Sequence, residues 1–318
     1  MRAYLGVTDF EWYRALSELP QPVDEVNFWF PSSAQGFAAL SPSEYFVLKT
    51  HVLRGGGPMS NRIVGVGAFS GFARLRISEA FSWFGVKNGV ADLAEFRDRI
   101  SHYRRTSIGP NDDPEIGCVI LNEPLFFPPS QPLPAPDDFS NNIVRGKGYL
   151  LDSLDAAHPV SVAVANYLLR DISIDRVDPS GLIYDRTHGS PRLITPRVGQ
   201  GAFKAVTAEA YHHRCALTGE RVRPVLQAAH IRPISAGGEH RLDNALLLRS
   251  DVHTLFDRGY IAFDTRYRLR VSPALRTEFG NGDYFYAREG NPISTPDRPS
   301  DRPNAGFLEW HNEVVFRA

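Results

Sequence analysis

The stretch Gln227-Ala-Ala-His230-Ile-Arg-Pro233, continued by Asp243-Asn244-Ala-Leu-Leu-Leu248 and His253-Thr-Leu-Phe-Asp257, decides how the C-terminal part of the chain folds. Val225 to His230 is a short apolar run ending in a histidine, which suits a buried strand. Pro233 and Gly237-Gly238 then punctuate a turn. Asn244 stands immediately before a second apolar run, read as a strand or the approach to a helix. Ser250-Asp251 has the character of a helix N-cap, which puts His253 in the first helical turns. Asp257 follows four residues later, on the same helix face. The expectation is strand, loop, strand, helix, with His230 and His253 converging from opposite walls.

These residues, together with Gly199-Gln-Gly-Ala-Phe203, Cys215-Ala-Leu-Thr-Gly219 and Phe256-Asp-Arg-Gly259, resemble the HNH (ββα-metal) nuclease family over about residues 196–263. The resemblance implies His230 as the general base that activates water. It also implies Asn244 as the hydrogen-bonding brace of the first strand and loop, and His253 as a metal ligand. A neutral imidazole suits both histidine tasks near pH 7. Many relatives place a second ligand immediately before the base, where this chain has Ala229, so Asp257 is the candidate second ligand. The competing reading of Asp257, as a helix cap or a partner of Arg258 or Arg249, stays open. A lone histidine is more often structural than catalytic, but here three spaced positions agree. The implied cofactor is a divalent ion, Mg2+ or Mn2+, and a histidine ligand also admits Ni2+ or Co2+. Cys118 and Cys215 are the only cysteines, too few for the four-thiolate zinc site of many relatives, and no structural zinc is expected.

Of the 318 residues, 42% are hydrophobic and 22% charged, the profile of an ordinary globular chain of about two domains. No apolar run approaches a membrane span, and Met1-Arg-Ala-Tyr lacks the apolar core of a signal peptide. With two cysteines there is no disulfide framework, so a reducing cytoplasm is the expected compartment. The net charge of −1 hides an asymmetry: residues 185–276 hold 15 Lys+Arg against 8 Asp+Glu. Arginine dominates that window, which favours planar, bidentate phosphate contacts. The candidates for DNA-phosphate contact are Arg197, Gln200, Lys204, Arg232 and Arg249, although solvated surface arginine is the plainer alternative.

In the first half, Asn27-Phe-Trp-Phe-Pro-Ser32, Glu44-Tyr-Phe-Val-Leu-Lys49 and Arg62-Ile-Val-Gly-Val-Gly-Ala-Phe-Ser70 read as strands, the last with glycines that suit sharp curvature. Helices are expected from Ser78 and over residues 92–103, and a further strand at residues 117–121. The proline-rich run over residues 126–136 is read as an extended crossing loop. Residues 161–169 read as a helix, 171–198 as a loop-rich linker, and 202–213 as a helix. Residues 266–271 and 284–287 read as strands, with a closing helix or strand at 307–315. The strand order and the Val-Gly-x-Gly element resemble the PUA-like superfamily, which includes the EVE and SRA readers of modified bases. That resemblance implies a concave, aromatic-lined face that receives an extruded base, where stacking offsets part of the unstacking cost. Asn27, Trp29, Tyr45, Trp83 and Phe84 are the pocket candidates, although aromatics at alternating strand positions are usually core.

The expected fold class is therefore α+β: a PUA-like mixed β-barrel with helices over residues 1–155, a helix and linker over 156–195, and an HNH domain over 196–318. The expected activity is a modification-dependent restriction endonuclease acting on double-stranded DNA that carries 5-methyl- or 5-hydroxymethylcytosine. An HNH module makes few base contacts and needs such a targeting domain. One-metal sites cut one strand at a time, so double-strand cleavage implies a homodimer or two binding events. The rivals are a sequence- or structure-specific HNH nuclease and a non-catalytic nucleic-acid-binding protein with an HNH relic.

Overall fold

The computed structural model describes residues 1–34, 36–53, 55–174 and 199–318. Of the linker expected at 171–198, residues 175–198, Arg197 among them, lie outside the described residues, and residues 171–174 belong to a helix. The chain divides into two compact units, Met1–Arg197 and Val198–Ala318.

The first unit runs β1 (Arg2–Thr8), α1 (Phe10–Ser17), β2 (Glu25–Phe30), β3 (Tyr45–Thr50), β4 (Arg62–Arg76), α2 (Ile77–Phe84), α3 (Leu93–Arg104), β5 (Glu115–Phe126), β6 (Leu133–Pro134), β7 (Gly146–Leu150) and α4 (Pro159–Ile174). Its seven strands form one mixed sheet in the order β2-β5-β4-β3-β1-β7, with β6 paired to β4. Only β1 and β3 pair in parallel, Val7 opposite Lys49; the other pairs are antiparallel. The path has two ends, and among the described residues no closed barrel forms, which corrects the barrel expectation. Curvature comes instead from irregularities in β4 between Val66 and Ala68 and between Phe69 and Gly71, where the register to β5 shifts.

Both faces of this sheet are covered, so β2 and β3 are buried at every position rather than at alternate ones. One face carries Tyr45, Val47, Val66 and Ala68 against Val160, Ala163, Val164 and Tyr167 of α4. The helix that the sequence assigned to a connecting segment is thus part of the first unit's core. On the other face, Phe28, Phe30, Phe37, Phe46 and Tyr4 form a chain of tilted and edge-on rings 4.7–6.5 Å apart, an arrangement favoured by the ring quadrupoles. The local helix signals are conventional: Asp9 caps α1 by accepting from the Trp12 amide, and Asp92 caps α3 by accepting from the Glu95 amide.

The second unit runs α5 (Gln200–Ala210), β8 (Leu226–His230), β9 (Ala245–Arg249), α6 (Ser250–Asp257), β10 (Ile261–Phe263), β11 (Leu269–Val271), α7 (Pro273–Phe279), α8 (Asp283–Tyr286) and α9 (Ala305–Val314). The expected strand at 284–287 is a short helix, preceded by Gly282 in a left-handed conformation that starts a turn rather than an extended run. The β8–β9 hairpin pairs His230 with Ala245 and Leu226 with Arg249. Among the described residues, no helix is long and apolar enough to cross a membrane.

Candidate functional site

β8, β9 and α6 form the ββα arrangement, and each part has a local cause. Ala229, Leu246 and Leu248 are fully buried and fix one face of the hairpin to the core; Gln227 lies on that same face at the exposed start of β8, and His230 projects from the opposite face. α6 begins one residue earlier than expected: Arg249 is its N-cap and Ser250 its first residue. Val252 and Phe256 bury the helix, leaving His253 and Asp257 on the other face. Phe256 stacks on His311 of α9 with centroids 3.7 Å apart and planes at 4°. The His311 ring also donates from Nε2 to the Phe256 carbonyl at 3.0 Å, fixing the end of the helix next to Asp257.

Asn244 is fully buried and ties the connection between the two histidine-bearing segments. Its Oδ1 accepts from the Arg232 amide, and its Nδ2 donates to the carbonyls of Arg232 and Glu239, all at 2.9 Å. A buried amide that satisfies three backbone groups leaves the loop little freedom, because losing any one bond strands a polar group away from water. Glycine at 238 is required for the same loop: a Cβ there would lie 1.9 Å from the Arg232 carbonyl oxygen.

His230 lies face to face with Phe203 of α5, centroids 4.0 Å apart and planes at 4°. Its Nε2 is 3.0 Å from Nδ1 of His240, a residue to which no sequence motif pointed. Burial first, then repulsion from His240 and His253, lowers the His230 imidazole from 6.5 to about 4, so it is neutral at physiological pH.

His253 donates from Nδ1 to the Gln227 side-chain oxygen at 2.8 Å, which leaves the Nε2 lone pair free. That Nε2 lies 3.3 Å from Asp257 Oδ2. Two neighbouring donors on an octahedral ion with bonds of about 2.1 Å stand roughly 3 Å apart, so the pair fits a hard divalent cation. Among the described residues, no third His, Cys, Asp or Glu completes a ligand cluster. Cys118 and Cys215 are buried thiols in different units; the Cys118 sulfur accepts from Asn27, and the Cys215 sulfur from the amides of Thr218 and Arg249.

The phosphate-contact candidates fare unequally. Gln200 is the exposed first residue of α5, and Lys204 is half-buried one turn later. The Arg232 guanidinium donates to the Ala236 carbonyl and lies 5.5 Å from the Trp310 ring. Arg249 is held in a fork by Asp251 at 2.6 and 2.7 Å, and Arg241 by Asp243 in the same manner. Both aspartates follow their arginines by two residues, a spacing visible in the sequence.

In the first unit, a cavity of about 460 Å³ opens beside β2. Trp12, Phe28, Trp29 and Phe30 form its aromatic wall, and Asp9, His51, Tyr103 and Arg145 contribute its polar groups. The Tyr103 hydroxyl donates to Asp9 Oδ2 at 3.0 Å; burial and then that carboxylate raise its pKa, keeping it protonated. Burial lowers the His51 imidazole, opposed by Asp9 and assisted by Lys49. Of the five pocket candidates only Trp29 reaches this cavity. Asn27 is fully buried, donating to Asn88 Oδ1 at 2.8 Å and to the Cys118 sulfur at 3.3 Å. Tyr45 lies in the core under α4, 5.8 Å from Tyr167. Phe84 is buried and Trp83 half-buried on α2, away from the cavity lining. The five candidates are therefore not gathered in one place: Asn27, Trp29 and Tyr45 stand on strands of a sheet covered on both faces, and Trp83 and Phe84 stand on α2.

Residues 215–264 match the family model described as HNH endonuclease, a span from Cys215 through β8, β9, α6 and β10. This segment is an HNH endonuclease domain. No curated protein matches the chain. Among solved structures, the chain is similar to a modification-dependent TagI restriction endonuclease, with 13% identity, 98% of this chain and 81% of that chain covered, and a TM-score of 0.29.

Proposed function

We propose that the protein is a divalent-metal-dependent DNA endonuclease whose first unit selects DNA carrying modified cytosine. The observation that supports the nuclease half is the joint placement of His230, Asn244 and His253 on the ββα element of an HNH domain. The reader half is supported by the aromatic cavity, which offers stacking surfaces beside a carboxylate. An acidic acceptor such as Asp9 suits the exocyclic amino group of cytosine, and the Trp12 and Phe28 wall suits an apolar substituent on its ring.

In this mechanism His230 takes a proton from water while the oxygen attacks the phosphorus and the P–O bond to the leaving oxygen breaks. Its low basicity keeps it neutral and ready to accept that proton. Asn244 keeps the loop after β8 at a fixed distance from α6, and His253 with Asp257 would hold Mg2+ or Mn2+. The bound ion supplies charge stabilisation for the phosphate and the leaving oxygen. Gln227 orients the His253 ring so that Nε2, and not Nδ1, faces Asp257. Two copies acting on opposite strands give a double-strand break.

The test is cleavage of matched duplexes containing cytosine, 5-methylcytosine or 5-hydroxymethylcytosine, with Mg2+ or Mn2+. The proposal expects cutting of a modified duplex in preference to the plain one. Equal cutting of all three would remove the reader, and full activity of His230→Ala would remove the assigned base.

A further inference from the structure

The His230 ring has two nitrogens, and one of them is already engaged. Nε2 is 3.0 Å from His240 Nδ1, within hydrogen-bond distance, so one proton lies between the two rings. Phe203 covers a face of His230, and Nδ1 is the ring nitrogen not engaged by His240. Nδ1 can act as a base only if it carries a lone pair, and in a neutral imidazole the proton must then reside on Nε2. The Nε2–H therefore donates, and His240 Nδ1 accepts.

We infer that His240 is the positioning residue of the catalytic base: it accepts a hydrogen bond from His230 and so selects the tautomer whose Nδ1 takes the proton from water. The inference rests on the reading of His230 as base. Three further observations place His240 for this task. Asn244 fixes the carbonyl of Glu239, the residue before it. The close pass of Gly238 over the Arg232 carbonyl sets the path of the same loop. His240 also packs against Phe203, centroids 5.3 Å apart, so both imidazoles share one aromatic support. When His230 becomes an imidazolium, its Nε2–H bond to His240 becomes charge-assisted and strengthens as the reaction proceeds. A neutral acceptor fits a base of low pKa, whereas a carboxylate in the same place would raise it.

The experiment uses the full chain in three forms: wild type, His240→Ala and His240→Asn. Asparagine offers an oxygen near the position of Nδ1 but does not titrate. Long-range proton–nitrogen NMR of histidine-labelled, metal-free protein at pH 7.5 reads the His230 tautomer directly. Wild type and His240→Asn are expected to show His230 protonated at Nε2, and His240→Ala a mixture of tautomers. In cleavage assays, His240→Ala is expected to lose ~10- to 100-fold in kcat with KM for DNA unchanged, and His240→Asn to recover most of it. A wild-type His230 protonated at Nδ1, or a His240→Ala protein with unaltered tautomer and kcat, overturns the inference. If wild type cuts no DNA, the nuclease reading fails, while the NMR result still decides whether His240 sets the tautomer.

Discussion

The two units build their candidate sites in opposite ways. The C-terminal site is local: His230, Asn244, His253 and Asp257 lie within one ββα element, connected by short loops and braced by one buried amide. The N-terminal cavity is distributed, drawing Asp9, Trp29, His51, Tyr103 and Arg145 from segments far apart in the chain. In the local site each residue has a single task, so one substitution removes it. In the distributed cavity the wall is shared among several rings, and each ring also belongs to the core of the sheet.

The sharpest test of that contrast is His230→Ala, expected to lower kcat by roughly 10²- to 10⁴-fold with DNA binding retained, measured by single-turnover cleavage and a separate binding titration. Retained cutting would mean that the local site has a second base. Asn244→Ala comes next. It strands two carbonyls and an amide inside the loop and should destabilise the C-terminal unit by about 2–4 kcal/mol, read by denaturant unfolding. Asn244→Asp should not rescue it, because a carboxylate cannot donate to those carbonyls.

The third test concerns His311, buried against Phe256 and held at about 4 instead of 6.5, chiefly by burial and with the Phe256 carbonyl acting in the opposite direction. The unfolded chain binds this proton more readily than the folded one. The contribution is thus present above pH 6.5 and is lost as pH falls toward 4, on the order of 3 kcal/mol for this group. His230 adds to the loss with the same sign. His311→Gln keeps a donor for the carbonyl and does not titrate, so its unfolding midpoint should fall less between pH 6.5 and 4. An unchanged pH slope would show that His311 is not the group responsible. The smallest effect is expected in the cavity. Trp29→Leu should weaken binding to modified DNA about tenfold while leaving metal-dependent cutting chemistry intact, because the remaining aromatic wall stays in place. A loss as large as that of His230→Ala would end the contrast.

The same contrast explains what could be read from the sequence. The ββα element was legible because its strand, turn and helix signals are contiguous, and because His253 and Asp257 share a face by simple helical spacing. His240 was not, since nothing in Gly-Gly-Glu-His predicts which way the loop folds back; its partner is set by the Asn244 bonds. In the first unit, β2, β3, β4, β5 and the α3 helix were legible, but β1, β7 and the interior that the strands face were not. Tyr45 and Trp29 both read as inward aromatics, and only the pairing order of the sheet separates the α4 core from the cavity. The apparent strand at 284–287 failed because a four-residue helix leaves no period to detect.

The arginine–aspartate forks of the second unit bear on how strongly salt should matter. Arg241 and Arg249 already hold carboxylates two residues away, and Arg232 is drawn onto Trp310. A polyanion docking here displaces fewer condensed counterions than the arginine count suggests, since each phosphate neutralised contributes a slope of about −0.9 to log K against log salt. Association with this unit should therefore persist to higher ionic strength than its basic composition implies.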